Sequence, residues 1–285
     1  MAFPHQTPRA ELRLPSGKVL PDLQIVGRSQ VHLHEDCDQD RVDRLIGRIR
    51  ADGILRNPPL AASLPDEGFV VLDGANRTSA LLALEAPVLP LQVVDYADPA
   101  VRLEVWHHLL VRPSDLSTRL RAQGLTLLAA SPFEAARQLA ERTIACYILT
   151  PAGGLTVSLP SEQLLAQTLA AVVGTYKTTN HIYRVTDTNL DTLRSEYEAT
   201  GELVVFPTFT KRDIVEVARA PVKLPTGITR HLIPGRALRL NLPLSVLTSP
   251  GDVAAKNRWL QEDLHRKLLD HQIRYYPEAT FLFDE

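Results

Sequence analysis

The segment at residues 70–80 constrains the fold more than any other part of this sequence. Three apolar residues, 70–72, precede Asp73 and Gly74. The residues that follow, from 75 onward, are typical of a helix. A short apolar run of this kind is typical of a buried strand, and Asp-Gly ends a strand in a tight turn. The segment therefore predicts a strand, a turn and a helix whose first N–H groups and positive dipole end lie at the turn.

The predicted turn has the chemistry of an anion site. Backbone N–H groups at the start of a helix attract phosphate, and the small residues Gly74 and Ala75 let a ligand approach the backbone. Arg77 adds a planar guanidinium that can contact two phosphate oxygens. The alternative is that Asp73 and Gly74 form an ordinary turn and that Arg77 is a solvated helix residue.

The residues around this turn predict a mixed α/β unit. Apolar residues at positions 42, 45, 46 and 49 have helical spacing, with Asp38 as the N-cap and Gly53 just past the helix end. Residues 59–63 and 69–72 are predicted to form a hairpin across a turn at residues 65–68. Further elements are predicted as a helix at 76–85 and strands at 23–26, 88–96 and 101–108.

From residue 114 helices and strands alternate. Arg112 and Pro113 break the chain before a new capped helix, so we place a domain boundary near residue 112. The predicted helices are 114–123, 132–142, 161–173, 190–199, 210–218 and 252–269, and the predicted strands are 125–128, 146–149, 155–159, 203–206 and 238–240. The sequence thus predicts two units, residues 1–112 and 113–285, of a mixed α/β fold with a cleft between them.

Composition narrows the classes of partner. Thirty-one Lys and Arg residues against 33 Asp and Glu residues give a formal net charge of −2, so no global field attracts nucleic acid or a membrane. Cys37 and Cys146 are too few for a disulfide framework, which fits a reducing compartment. No run approaches the roughly 20 apolar residues of a membrane span, and residues 1–9 lack a signal-peptide core. We therefore expect a cytoplasmic protein without a membrane or nucleic-acid partner.

The order of elements around the turn resembles the N-terminal unit of the ParB and sulfiredoxin superfamily. The resemblance depends on a helix that ends in residues 52–59, then a hairpin, then a strand ending in Leu-Asp-Gly-x-x-Arg-x-x-Ala, and it covers residues 22–96. In that superfamily the Gly-x-x-Arg turn binds nucleotide phosphates. The resemblance therefore implies a nucleotide-binding N-terminal unit and a substrate-binding unit after residue 112.

Two segments resemble one branch of this superfamily, the free L-serine kinases. They are Val-His-Leu-His-Glu-Asp at residues 31–36 and Gly-x-Thr-Arg-His at residues 227–231. The branch forms O-phosphoserine from serine with ADP or ATP, so the resemblance implies a kinase that uses one of these donors with Mg²⁺. Two histidines usually stand in this branch where the present chain has Ala75 and Asn76. The implied nucleotide-binding residues are Gly74, Ala75, Asn76, Arg77 and Thr78.

The resemblance implies that Glu35 is the catalytic base. Phosphoryl transfer to a hydroxyl needs a carboxylate that orients the nucleophile and accepts its proton. Asp73 is a second catalytic candidate, which can ligate Mg²⁺, hold the substrate ammonium group or cap the helix. The alternative for Glu35 is a solvated residue ahead of the first helix.

Substrate-binding candidates lie in two further places. Arg230, in a segment predicted to be irregular, can bind the carboxylate of an amino acid, with Thr229 and His231 beside it. The resemblance implies that Trp106 walls the pocket, and the alternative is a core residue on a strand. The alternative for Arg230 is an exposed loop residue.

Three other hypotheses stay open. The first is a structural metal site at residues 32–37, which include two histidines, two carboxylates and a cysteine. No second ligand pair at zinc spacing occurs elsewhere in the sequence. A ParB-like, nucleotide-dependent DNA-binding transcriptional regulator would carry a basic helix-turn-helix, for which residues 114–145 are the candidate. The replaced histidines also allow a nucleotide-binding protein without catalysis.

Overall fold

The computed structural model describes residues 12–64, 68–160 and 165–277. The predicted turn at 65–68 and the predicted helix start at residue 161 lie outside the described residues, apart from Gly68. The same holds for residues 1–9. Within the described ranges, no helix combines the length and the apolar character that crossing a bilayer requires.

Helices and strands alternate along most of the chain. The strands are β1 (Asp22–Gly27), β2 (Val31–Leu33), β3 (Ile54–Leu55), β4 (Leu60–Ser63), β5 (Phe69–Asp73), β6 (Val88–Val94), β7 (Arg102–Val105), β8 (His107–Leu110), β9 (Leu127–Ala130), β10 (Ile144–Thr150), β11 (Gly153–Ser158), β12 (Ile182–Val185), β13 (Leu203–Val205), β14 (Thr229–Leu232) and β15 (Leu242–Pro243). The helices are α1 (Gln39–Asp52), α2 (Ala75–Ala83), α3 (Leu116–Ala122), α4 (Pro132–Ala140), α5 (Leu165–Tyr176), α6 (Leu190–Glu196), α7 (Lys211–Arg219), α8 (Leu244–Thr248) and α9 (Val253–Leu269).

The chain forms two compact units. Unit 1 comprises the described residues of Met1–Leu33, Cys37–Val101 and Ile233–Glu285, and unit 2 comprises those of His34–Asp36 and Arg102–Leu232. This division differs from the predicted boundary near residue 112 because the C-terminal segment returns to unit 1. There β15 pairs with β3, and α9 packs on β1.

Unit 1 is built on a five-stranded mixed sheet in the order β1-β6-β4-β5-β2. The predicted hairpin of β4 and β5 is confirmed, with Ala62 opposite Val70. The predicted first helix is confirmed too: the Asp38 side chain accepts a hydrogen bond from the backbone N–H of Arg41, and Gly53 caps the C-terminus in the left-handed conformation. Local sequence signals therefore position both elements that flank the turn.

The core of unit 1 includes residues from both ends of the chain. Ile25 of β1, Leu81 of α2 and Leu260 of α9 belong to one buried cluster. Asn257 of α9 also bonds the edge strand directly, since its amide group accepts from the Ile25 N–H at 3.0 Å and donates to the Ile25 carbonyl at 2.6 Å. Apolar burial and these hydrogen bonds hold the C-terminal helix in unit 1.

Unit 2 is built on a six-stranded antiparallel sheet in the order β12-β8-β13-β10-β11-β9. The predicted hairpin of β10 and β11 is confirmed. A separate two-stranded sheet joins β14 to β7, with Arg230 opposite Glu104. The segment at residues 229–231, which the sequence predicts to be irregular, is thus a strand.

Two strand predictions were wrong. The single strand predicted at 101–108 is two strands in different sheets, because residues 102–105 pair with β14 whereas residues 107–110 pair with β12 and β13. The strand predicted at 238–240 does not form, since Arg239 has a φ of 54°, which extended backbone cannot accommodate.

Candidate functional site

The turn between β5 and α2 has the predicted strand-turn-helix geometry. Gly74 is the N-cap residue of α2 and has φ 99° and ψ 27°. A Cβ at this position would lie 3.1 Å from the Cα of Pro59 and 3.2 Å from Nη2 of Arg77. Both the left-handed backbone and the close approach of the chain therefore require glycine.

The N-terminus of α2 has no side-chain cap. The first helical hydrogen bond of α2 runs from the Thr78 N–H to the Gly74 carbonyl at 2.9 Å. The backbone N–H groups of residues 75–77 precede it and have no acceptor within the helix. Among the described residues no side chain bonds to the start of α2, whereas Asp38 caps α1 and Asp252 caps α9. Donors and the positive end of the helix dipole are thus available to an anion.

Arg77 ties the turn to the loop before β4. Its side chain is 14% exposed, and Nη1 donates to the carbonyls of Asn57 at 3.3 Å and Pro58 at 3.1 Å. Nη2 donates to Oδ2 of Asp73 at 3.0 Å. Within the described part of the chain, these bonds leave the Nε–H and one hydrogen on Nη2 for a ligand.

Asp73 binds two guanidinium groups through one oxygen. Arg236, from the segment that precedes β15, bonds to the same Oδ2 as Arg77. Burial opposes ionisation of Asp73, but the two neighbouring arginines outweigh it and lower the pKa of this carboxyl below its usual value. Asp73 does not cap α2, since Gly74 is the N-cap. At this turn two positive groups and the helix N-terminus surround a single carboxylate.

The other predicted nucleotide-binding residues, Ala75, Asn76 and Thr78, differ in the groups that they could present to an anion. The Asn76 Oδ1 accepts from the Asp38 N–H at 2.8 Å and so links the starts of α1 and α2. The Thr78 side chain is 1% exposed, and its hydroxyl makes no hydrogen bond to any residue in the described ranges. Backbone groups of Ala75 and Asn76 are therefore better placed for an anion than the Thr78 side chain. Phosphate binding by Thr78 stays a prediction.

Glu35 lies in unit 2, in a short extended segment that pairs with Leu224. The Leu224 N–H donates to the His34 carbonyl at 2.9 Å, and the Asp36 N–H donates to the Leu224 carbonyl at 2.8 Å. The Glu35 carboxylate accepts three hydrogen bonds, from the Gly227 N–H at 3.2 Å, the Thr229 N–H at 2.8 Å and the Thr229 hydroxyl at 2.6 Å. Glu35 is therefore fixed in position and is not a solvated residue.

The strand β14 brings the predicted substrate-binding residues together with Glu35 but divides them between its faces. Because side chains alternate along a strand, Thr229 and His231 share one face and Arg230 lies on the other. The Arg230 guanidinium lies 4.3 Å from the centre of the Trp106 ring, and its Nη1 donates to Glu104 at 3.0 Å. Arg230 thus stacks on Trp106 and already binds one carboxylate.

Two histidines on β8 serve the structure of unit 2. His108 Nε2 donates to the Gly227 carbonyl at 3.1 Å, and its Nδ1 accepts from the Tyr176 hydroxyl at 2.7 Å. Burial lowers the pKa of both His107 and His108 to about 4, so both are neutral near pH 7. The neutral His108 supports the same loop whose Gly227 N–H binds Glu35.

The described residues contain no group of three or more His, Cys, Asp or Glu side chains arranged to hold a metal ion.

Curated proteins with similar sequences have one activity in common. No protein-family model matches the chain. The ATP-dependent L-serine kinase SbnI of Staphylococcus aureus is 24% identical over 263 residues, which cover 92% of this chain and 97% of that protein. The ADP-dependent L-serine kinase SerK of Thermococcus kodakarensis is 22% identical over 239 residues, which cover 82% of this chain and 96% of that protein. The homologues of this chain are L-serine kinases.

Solved structures of these kinases share the fold. C-terminally truncated SbnI from Staphylococcus aureus matches with a TM-score of 0.68 and 22% identity over 86% of this chain and 96% of that chain. A free serine kinase in complex with AMP matches with a TM-score of 0.71 and 17% identity over 84% of this chain and 98% of that chain. The predicted mixed α/β fold and the resemblance to the free L-serine kinases are confirmed.

Sequence reasoning missed two residues that contact the predicted ones. Arg236 bonds to Asp73 although 163 positions separate them, and His34 lies 2.8 Å from the Thr229 hydroxyl although 195 positions separate them. Arg236 gives no local signal. His34 belongs to the segment that resembles the free L-serine kinases and to the possible metal cluster, but neither gave it a role beside Glu35, and its position next to Glu35 was the available clue.

Proposed function

We propose that this chain is a cytoplasmic kinase that transfers a phosphoryl group from ADP or ATP to the hydroxyl of free L-serine and forms O-phospho-L-serine. The observation that carries the proposal is similarity to an ATP-dependent L-serine kinase over 92% of the chain. The hydrogen bonding of Glu35 and the open N-terminus of α2 support it, because the reaction needs a placed carboxylate and a phosphate site.

The nucleotide phosphates are proposed to bind at the start of α2. The N–H groups of residues 75–77 donate to phosphate oxygens, and Gly74 allows the approach because a Cβ there would crowd the turn. Arg77 and Arg236 add positive charge, and Asp73 holds both guanidinium groups. A bound nucleotide supplies the phosphoryl group that is transferred.

Mg²⁺ is proposed to enter with the nucleotide. Magnesium in nucleotide sites keeps several waters and takes few carboxylates from the protein. The Oδ2 of Asp73 is occupied by arginines, so phosphate oxygens and water would supply most ligands, with Oδ1 as the available protein ligand. The ion neutralises phosphate charge when it is bound.

The serine is proposed to bind beside Glu35. The Glu35 carboxylate orients the serine hydroxyl and accepts its proton as the oxygen attacks phosphorus. Arg230 binds the serine carboxylate in place of Glu104, with the Trp106 ring as the wall of the pocket.

The DNA-binding alternative is not favoured. Its candidate helices, α3 and α4, are separated by the strand β9, which pairs with β11 in the six-stranded sheet. A helix-turn-helix requires two helices joined by a short turn. The curated relatives are kinases as well.

The test is a product assay with L-serine, Mg²⁺ and either ATP or ADP, read by ³¹P NMR. We expect O-phosphoserine with at least one donor and no phosphorylated product when L-alanine replaces L-serine, since alanine lacks the hydroxyl. Absence of O-phosphoserine with both donors, under conditions in which the nucleotide binds, would overturn the proposal. That result would favour the hypothesis of a non-catalytic nucleotide-binding protein.

A further inference from the structure

The hydroxyl of Thr229 lies between Glu35 and His34. Its Oγ1 is 2.6 Å from Oε1 of Glu35 and 2.8 Å from Nε2 of His34. The hydroxyl has one proton, and an ionised carboxylate can only accept, so that proton lies on the bond to Glu35. Nε2 of His34 must then be the donor to Oγ1. The hydrogen bonds therefore run in one direction, from His34 through Thr229 to Glu35.

This series of hydrogen bonds is enclosed by protein. His34 is 3% exposed, and Thr229 and His231 are each 9% exposed. The rings of His34 and His231 meet edge to face, with their centres 5.4 Å apart. Hydrogen bonds in such surroundings are stronger than in water and restrict the orientation of their partners.

The same contacts distinguish the two oxygens of Glu35. A carboxylate offers about four acceptor sites, two on each oxygen. Oε1 accepts from both the N–H and the hydroxyl of Thr229, while Oε2 accepts from the Gly227 N–H alone. Within the described residues, the acceptor site left open is therefore on Oε2.

We infer that His34 and Thr229 are positioning residues that hold Glu35 so that Oε2 is the atom that accepts the proton of the substrate hydroxyl. The catalytic part of this inference rests on the proposed function. In the transfer, the serine Oγ forms a bond to phosphorus and its proton passes to Oε2. The bond from phosphorus to the leaving oxygen breaks, and the nucleotide keeps that electron pair. Thr229 thus acts on Glu35 and is not a ligand of the substrate.

Other titratable groups also surround Glu35. His34 and His231 lie on the buried side, and Asp36 is adjacent in sequence. Burial raises the pKa of Asp36, the charges of Lys177 and Lys223 oppose the rise, and the charge of Glu35 adds to it. The positioning of Glu35 is therefore best tested by a substitution that changes none of these titratable groups.

The experiment compares Thr229→Val with Thr229→Ser in the full chain. Valine has nearly the shape of threonine without the hydroxyl, and serine retains the hydroxyl. We expect Thr229→Val to lower kcat on the order of 10²-fold, since the base loses its alignment, with the nucleotide Kd unchanged. Thr229→Ser should recover most of that loss. Equal kcat for Thr229→Val and wild type, or equal losses for both variants, would overturn the inference.

A second measurement does not depend on turnover. In ¹⁵N-labelled protein, long-range ¹H–¹⁵N spectra should place the ring proton of His34 on Nε2 in the wild type and in Thr229→Ser. A His34 ring protonated on Nδ1 alone would contradict the inferred direction of the hydrogen bonds. If the wild type forms no O-phosphoserine, the proposed function fails, while the His34 spectrum still decides the hydrogen-bond arrangement.

Discussion

The turn at Gly74 in unit 1 and the carboxylate of Glu35 in unit 2 are hydrogen-bonded in opposite ways. At the turn, the backbone donors of residues 75–77 have no acceptor in the helix and no side-chain cap. At Glu35, three donors already occupy the carboxylate. The first region is open to an anion, and the second is fixed before any ligand arrives. Affinity and chemical rate should therefore respond to different substitutions.

The substitution Glu35→Gln should separate the two regions most strongly. Glutamine retains the shape of glutamate but cannot accept the proton, so we expect kcat for O-phosphoserine formation to fall about 10³-fold. The nucleotide Kd, measured by calorimetry, should stay the same because the turn is untouched. Glu196→Gln, at an exposed position of α6, is the matched control. Retained kcat in Glu35→Gln would remove Glu35 from the role of base.

Acidification should weaken unit 2 through His108. Its folded-state pKa of about 4 lies below the ordinary value of 6.5, so the neutral His108 ring contributes to the free energy of unfolding. This contribution is complete above pH 6.5 and is lost as the pH falls toward 4. Linkage predicts a loss of about 2 kcal/mol in the free energy of unfolding between pH 7 and pH 5 from this residue.

Urea titrations at several pH values test this. His108→Gln should flatten the dependence on pH, whereas His265→Gln, at an exposed position of α9, should leave it unchanged. An unaltered slope in His108→Gln would contradict the assignment of a neutral, buried His108.

Glycine at position 74 should be required for both stability and binding. Alanine there places a Cβ in a left-handed backbone and against Pro59, so we expect a loss of about 1–2 kcal/mol in the free energy of unfolding and weaker nucleotide binding. Gly47, inside α1 with open space around a Cβ, gives the opposite control. Gly47→Ala should stabilise the protein by about 0.5–1 kcal/mol. Equal effects at the two positions would contradict the account of the turn.

Arg236 should contribute to binding more than to folding. Arg236→Gln removes a positive group from the turn, so we expect the nucleotide Kd to rise about tenfold. The free energy of unfolding should change by less than about 1 kcal/mol, because the pair with Asp73 is partly exposed. Arg212→Gln breaks an exposed pair in α7 and is the control. An unchanged Kd in Arg236→Gln would remove this residue from the phosphate site.

The elements around the turn could be predicted because their signals are local. An apolar run followed by Asp73 and Gly74 specifies a strand end and a helix start within a few residues. Asp38 and Gly53 likewise mark the ends of α1 by side-chain and backbone chemistry, and both are confirmed.

What could not be predicted depends on pairing between distant segments. The segment containing Thr229 becomes a strand only because it pairs with β7, and residues 233–277 join unit 1 through β15 and α9. The predicted strand at 101–108 divides at Trp106 because its two halves pair with different strands. No local pattern encodes such partners, and the same holds for the approach of Arg236 to Asp73.

A crystal structure with L-serine and a non-hydrolysable ATP analogue would test the division of roles most directly. We expect phosphate oxygens within hydrogen-bond distance of the N–H groups of residues 75–77. We also expect the serine hydroxyl within hydrogen-bond distance of Oε2 of Glu35. Phosphates bound away from the Gly74 turn, or a serine hydroxyl that does not reach Glu35, would contradict the proposed roles of the two regions.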